Sequence, residues 1–409
     1  MILFLYFYLF TVSWNSAFAL EKINLPILFS FCYVFFSIQK IYSKINIKVV
    51  KFVLIPFFFT STYYIFSSLI NPHPKILNYN IAYIFLPLLC CYLPQAFVVR
   101  SQYYKKIQIA FISGLVFVAI ICIFESIIRY YYGFDITSLV PQFKENFVRS
   151  LTISGKALNR SRAFSSEPLV VGISLSIGLQ YSLIKLKNLI IKNEEFLNFK
   201  VLKYFIFAFL FIFAILATGA ASSFFICLLG ITCIISELLL YTFLDFRKGR
   251  INKFFVYFFI IFISILSSLI LLLYLIPAYQ TAIENILGKI FLDTDYASVS
   301  ARIKIISQYF QDIIYDPFGI KGSVGSLSRN SSAINWYLTL LGDVGIIGTI
   351  FTLIPIFTSA LISINSPISL GFSKFDKLMI ILIPIFGLLF HGTFQSSPLW
   401  ATIIVAYYL

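Results

Sequence analysis

The amino-acid sequence predicts an all-α, polytopic integral membrane protein with about 12 transmembrane helices and two large periplasmic or extracellular loops. Three observations support this. The 409 residues are 60% hydrophobic and 11% charged, with a mean hydropathy of +0.94, whereas soluble domains carry about 45–50% apolar and about 25% charged residues. Apolar stretches near the ~20 residues needed to cross a bilayer recur along the whole chain. The 31 basic residues fall unevenly between alternate connecting loops. Together these exclude an ordinary soluble enzyme and a disordered chain. A formal charge of +15 would suggest nucleic acid on a soluble protein. Here it bears first on topology, and no nucleic-acid partner is expected.

The candidate spans lie near 1–19, 24–38, 52–70, 81–98, 108–128, 168–184, 204–218, 222–243, 254–276, 336–361, 378–391 and 399–409. The second and last are short and cross only if tilted or packed inside the bundle. In the first, Ala17-Phe18-Ala19 has the small residues of a signal-peptide cleavage site. No Lys or Arg precedes that apolar run, and a secretory n-region is basic, so a retained helix is expected. An even number of spans puts both termini on one side. With the termini inside, 18 Lys and Arg lie in inner loops, against only Lys22 and Lys75 in short outer ones. That bias sets orientation, and both termini are expected in the cytoplasm. The chain, 1–409, reads as a single membrane domain with outer loops at 129–166 and 277–335. All six cysteines fall inside spans, so no structural disulfide is expected.

The two long loops carry the unusual chemistry. The first holds Tyr130-Tyr131-Tyr132, Phe134 and Val140-Pro141. In the second, Ile303, Ile305, Ile306, Tyr309, Phe310, Ile313 and Ile314 repeat at helical spacing. They predict an amphipathic helix on the membrane or across the mouth of the bundle, followed by a turn-rich run from Asp316-Pro317 to Gly325. The basic residues also differ by face. Inner loops hold 15 Lys and 3 Arg, and the long outer loops hold 5 Lys and 6 Arg. Lys suffices for topology, but a planar fork of donors suits a phosphate. The Arg-enriched mouth therefore suggests an anionic substrate at the outer surface, with anionic lipid headgroups as the plainer reading.

Three stretches stand out. Asn159-Arg160-Ser161-Arg162 runs into Ala163-Phe164-Ser165-Ser166-Glu167-Pro168 at the start of the sixth span. Ser, Glu and Pro suit a helix start, so Glu167 is either a cap or a chemical group. The two arginines beside a helix N-terminus also make an anion site. Second, Ser300-Ala301-Arg302 opens the amphipathic helix, where a basic residue opposes the helix dipole. Third, Asn335-Trp336-Tyr337 leads to Asp343, Gly345 and Gly348. The glycines suit close helix contact, and a carboxylate inside a span is costly. Glu125 and Glu237 are expected at helix ends, reaching the interface. His73, His391 and the pair Asp293 and Asp295 carry no strong metal signal, so no metal or cofactor is implied.

These stretches, in this order and on this face, resemble the Wzy-type polysaccharide polymerases of the O-antigen ligase and polymerase superfamily. Arg162, Glu167 and Pro168 resemble the family's Arg…Glu-Pro segment. Thr218-Gly219-Ala220-Ala221-Ser222-Ser223 resembles its small, Ser-rich turn, without the Arg often found there. Ser300-Ala301-Arg302 with Asp316-Pro317-Phe318-Gly319-Ile320-Lys321-Gly322 resembles its Arg helix and Pro-Gly turn. Asn335 through Gly348-Thr349 matches its Asn…Gly-x-x-Gly-Thr spacing, but Ile334 stands where the ligases have a histidine.

The resemblance, over about residues 160–350, implies a glycosyltransferase of the bacterial cytoplasmic membrane. It would join undecaprenyl-pyrophosphate-linked repeat units at the outer face, with a chain-length regulator and membrane lipid as further partners and no cofactor. It points to Glu167, Arg162 and Arg302 as catalytic residues. Arg160, Arg329, Lys321, Asn335 and Tyr315 would bind pyrophosphate or sugar. Tyr130, Tyr131, Tyr132 and Trp336 would either stack on sugars or form an interfacial belt. The alternatives are a ligase transferring glycan to lipid A-core and a non-enzymatic transporter or flippase.

Overall fold

The computed structural model describes residues 1–14, 24–39, 44–70, 74–132, 134, 150–153, 156–159, 161–165, 167–191, 199–246, 297–315, 335–368, 370–390 and 397–409. The chain is an all-α membrane protein. Among the described residues, six helical segments are long and apolar enough to cross a membrane: Ile47–Ile70, Ser101–Arg129, Pro168–Leu189, Phe199–Thr218, Ser222–Leu239 and Val344–Ile364. The chain divides into two compact units, Met1–Gly114 with Leu292–Leu409, and Leu115–Phe291.

In the first unit the helices are α1 (Ile2–Phe10), α2 (Leu25–Gln39), α3 (47–70) and α4 (74–96), together with the first half of α5 (Tyr104–Tyr132). Four more follow later in the chain: α9 (Ala297–Tyr315), α10 (Trp336–Ile364), α11 (Lys374–Gly387) and α12 (Ser397–Tyr408). A two-residue antiparallel pairing joins β1 (Lys44–Ile45) to β2 (Phe97–Val98). The α1 helix covers only 9 residues of the predicted 1–19 span, and 254–276 lies outside the described residues. On α3, Phe52, Ile55, Phe58, Phe59, Ile65, Phe66 and Leu69 are exposed. Polar side chains there would be expected in a soluble protein; apolar ones suit lipid.

At three helix breaks a neighbouring side chain takes the freed carbonyl. Pro94 supplies no N–H, and α4 passes through a π-helical turn over Leu88–Tyr92. The carbonyls of Leu89 and Cys90 accept instead from Ser30 Oγ at 2.6 Å and Tyr8 Oη at 2.7 Å. Pro355 in α10 leaves the Phe351 carbonyl to Thr60 Oγ1 at 2.6 Å. Gly345 adopts φ 68°, ψ −175° inside α10, and the Val344 carbonyl accepts from Tyr63 Oη at 2.9 Å. Such partners are what hydrocarbon requires, because no water is there to satisfy the backbone.

The Gly345 break corrects an expectation. Gly345 serves a positive φ that other residues resist. Close contact falls to Gly348, where a Cβ would press on Tyr63 and Val344. A buried amide network joins α4 to α10: Gln95 Nε2 donates to the Ser359 carbonyl at 2.9 Å and Ser363 Oγ at 2.8 Å. Ser359 Oγ returns a bond to Gln95 Oε1 at 2.6 Å.

In the second unit the helices are the remainder of α5, α6 (Pro168–Ile191), α7 (Phe199–Thr218) and α8 (Ala221–Phe246). Its central helix is α6, 83% of whose apolar window is buried, against 28% for α8. Small residues permit this. A Cβ at Gly172 would collide with Ser223 of α8, and one at Gly178 with the ring of Phe211 of α7, so α6 packs closely against both neighbours. The first long loop holds an element that an all-α reading leaves out: strands β3 (Ser150–Ile153) and β4 (Lys156–Asn159) pair antiparallel, Ser150 opposite Asn159 and Ile153 opposite Lys156.

Candidate functional site

The charged centre of the second unit lies in the connection between β4 and α6, of which residues 161–165 and Glu167 are described. Three partners hold it. From α5, Glu125 Oε2 accepts the backbone N–H of Arg162 at 3.1 Å and of Ala163 at 2.8 Å. Its other oxygen lies 3.1 Å from Arg129 Nη2, one turn along the same helix. Two turns back on α5, the Phe117 ring stacks on Phe164 at 6.1 Å and 7°. From the end of α7, the Ala217 carbonyl accepts the Ser161 N–H at 3.1 Å. The connection itself turns tightly: Ser165 N–H donates to the Arg162 carbonyl at 2.9 Å, and Ala163 sits at φ 45°.

The local sequence dictates much of this. Phe117 and Glu125 are eight residues apart and share a face of α5. Thr218 ends α7, and Gly219 adopts φ 56°, reversing the chain into α8. Pro168 is the first helical residue of α6, suited by its fixed φ, and Glu167 occupies the position before it. Ser165 Oγ accepts the Glu167 N–H at 3.4 Å. Glu167 is half-buried at the positive end of α6, where a carboxylate is favoured.

The burial of charge is the distinctive feature. Glu125 is 0% exposed, Arg129 8% and Arg162 6%. Isolated ions do not persist there; they persist when paired and hydrogen-bonded. Glu125 meets that condition through the two backbone N–H groups and the Arg129 guanidinium.

The structure brings the Arg162–Glu167 segment to the Thr218–Gly219 turn, two motifs that the sequence presents separately. Arg302 and Tyr315 lie on the helix α9, and Asn335 at the start of α10, all in the first unit. Arg160, Lys321 and Arg329 lie outside the described residues, as do His73, His391 and the Asp293–Asp295 pair. The predicted amphipathic helix is present as α9. It packs against α10 and buries Tyr309, while Ile303, Phe310 and Ile314 are exposed.

Four expectations change. Glu125 does not reach an interface at a helix end; it is the hub of the loop. Glu237 likewise does not reach out: it accepts from Lys187 Nζ at 2.7 Å, with side chains 11% and 2% exposed. The Asn335 side chain caps α10, its Oδ1 accepting from Tyr337 N at 2.9 Å and Leu338 N at 3.3 Å. Trp336 is 1% exposed, so its ring is packing rather than a sugar platform, whereas Tyr131 and Tyr132 stand out at 65% and 81%. Glu125 and Arg129 are the residues sequence reasoning passed over. Their i, i+4 spacing at the end of a span was the available signal.

The fold thus defines the class, a helical membrane protein with buried charge at a helix mouth. No protein-family model matches the chain, and no curated protein is similar to it.

Proposed function

We propose that this chain is a polysaccharide polymerase of the bacterial cytoplasmic membrane, with both termini in the cytoplasm. It joins undecaprenyl-pyrophosphate-linked repeat units at the outer face. One observation carries the reading: Arg162, a residue of the family-like Arg…Glu-Pro segment, is nearly buried in a loop whose backbone is pinned at the entry of α6. In the proposed reaction the terminal sugar hydroxyl of one lipid-linked repeat attacks the anomeric carbon of the growing glycan. The anomeric C–O bond to pyrophosphate breaks, and undecaprenyl pyrophosphate leaves with the bonding pair. Glu167 takes the hydroxyl proton. Arg162 holds the charge that develops on the leaving group, which a dry site makes effective, and the resemblance assigns Arg302 to the same reaction. Lipid-exposed helix faces such as that of α3 accommodate polyprenyl tails.

The test is elongation by purified protein in detergent, given synthetic polyprenyl-pyrophosphate-linked repeats. The wild-type protein lengthens them. Arg162→Ala and Arg302→Ala insert normally but leave single repeats, and Arg162→Lys is also severely impaired because the ammonium lacks the fork. Wild-type chain lengths in both alanine variants would remove the site.

A second reading, a transporter or flippase, draws on the break at Gly345, since transporters use discontinuous helices at their binding sites. Uptake or lipid translocation in vesicles without elongation would favour it.

A further inference from the structure

We infer that Glu125 is a positioning residue for Arg162, an inference that rests on the polymerase reading. An arginine that stabilises a leaving group works only if it is already in place when charge develops. Arg162 is not on a helix; it sits in a short connection, the kind of segment that moves most. Its neighbour Ala163 holds φ 45°, a backbone conformation that residues with a side chain rarely adopt. Something must impose it, and the donors show what. The N–H groups of Arg162 and Ala163 converge on a single oxygen of Glu125, and the Arg129 guanidinium engages the other. Two consecutive backbone N–H groups aimed at one anion are the form that an αR–αL turn gives to the chain. Here the anion is built in. Glu125 therefore sets the direction in which the chain carries Arg162, and Arg129 holds the carboxylate in line.

The chemistry of the group matters as well as its size. An ionised carboxylate is acceptor-only: one oxygen takes two backbone N–H groups while the other faces the Arg129 charge. Gln at this position keeps one acceptor oxygen but turns an NH2 toward Arg129. Asp keeps the charge and falls one methylene short.

Two readouts separate this inference from the reading beneath it. The first is backbone hydrogen exchange at Arg162 and Ala163 in the detergent-solubilised protein, which is independent of any activity. The second is elongation of lipid-linked repeats. Glu125→Gln is expected to speed exchange at both amides about tenfold, equivalent to roughly 1.4 kcal/mol of lost protection. Elongation turnover falls about a hundredfold, the scale of an ångström-sized misplacement. The loss falls on turnover more than on KM, because the interaction acts in the transition state. Adding Ala163→Gly restores part of the turnover, since glycine takes a positive φ without penalty.

Unchanged exchange in Glu125→Gln overturns the inference whatever the activity. So does faster exchange with wild-type turnover while Arg162→Ala abolishes elongation. If Arg162→Ala elongates normally, the role of Arg162 fails, and with it the role assigned to Glu125; exchange then reports only that the loop is pinned. If the wild-type protein elongates nothing, it is the polymerase reading that fails. Should Glu125→Gln fail to insert, Glu125→Asp carries the same two readouts, with the same outcomes deciding.

Discussion

Two buried ionic groups sit toward opposite ends of α6, and they are built differently. Before the N-terminus, Glu125 binds backbone: two N–H groups of the 161–165 connection, with Arg129 alongside. Near the C-terminus, Lys187 and Glu237 meet side chain to side chain at 2.7 Å and join α6 to α8. The first shapes a loop; the second fastens two regular helices that need no shaping. The residue types follow the same division. Arginine, with its rigid fork, stands at the shaped end. Lysine, a compact point charge on a flexible stem, stands at the fastened end. The arginine excess in the outer loops is thus only partly a matter of substrate: Arg129 is committed to Glu125.

If the comparison holds, the two ends fail in different ways. Glu167→Gln makes the sharpest test of the shaped end. The amide still sits before Pro168, so α6 starts as before, but it takes no proton. Elongation is expected to fall about 10²–10⁴-fold, the range of general base catalysis, with thermal stability unchanged. Retained elongation would reduce Glu167 to a helix-start residue and leave the shaped end without its base.

At the fastened end the loss is of stability instead. Glu237→Leu strands the buried Lys187 ammonium and is expected to cost about 3–5 kcal/mol, read as a lower detergent melting temperature. Lys187→Met combined with Glu237→Leu recovers most of that, because two apolar side chains need no pairing. Turnover per folded molecule stays at wild type in both. A double variant that is stable but inactive would show that this pair also serves function and would break the comparison.

The division also explains what was legible in the sequence. Composition and span-length apolar runs reveal an all-α membrane protein, because hydrocarbon imposes the same demand on every crossing segment. The small turn at Thr218–Gly219 and the Pro168 helix start are local, and their residue types announce them. The β3–β4 pairing was also announced, by Thr152-Ile153 followed by Ser-Gly, a two-residue turn signal, but it is masked by the helical composition around it. The role of Glu125 was not legible. It depends on residues 37 and 38 positions away, and nothing near Glu125 indicates that its carboxylate will meet backbone N–H groups. The pairing of Lys187 with Glu237 spans 50 positions and is hidden for the same reason. Asn335 shows the converse: a helix cap and a polar binding residue draw on the same residue types, and at the start of α10 the structure shows the cap.

Asn335→Ala is the smallest of these effects and tests that last point. The side chain accepts from two of the N–H groups that the first turn of α10 leaves without intrahelical partners. Losing such a cap costs about 0.5–2 kcal/mol. The Gly345 break limits how far the damage travels, because the nine residues before it form a half-helix separate from the apolar stretch that follows. The expected result is a modest fall in melting temperature and wild-type elongation by the folded fraction, with Asn335→Ser intermediate since its hydroxyl still accepts one of the two bonds. A large loss of elongation at unchanged stability would instead return Asn335 to the substrate.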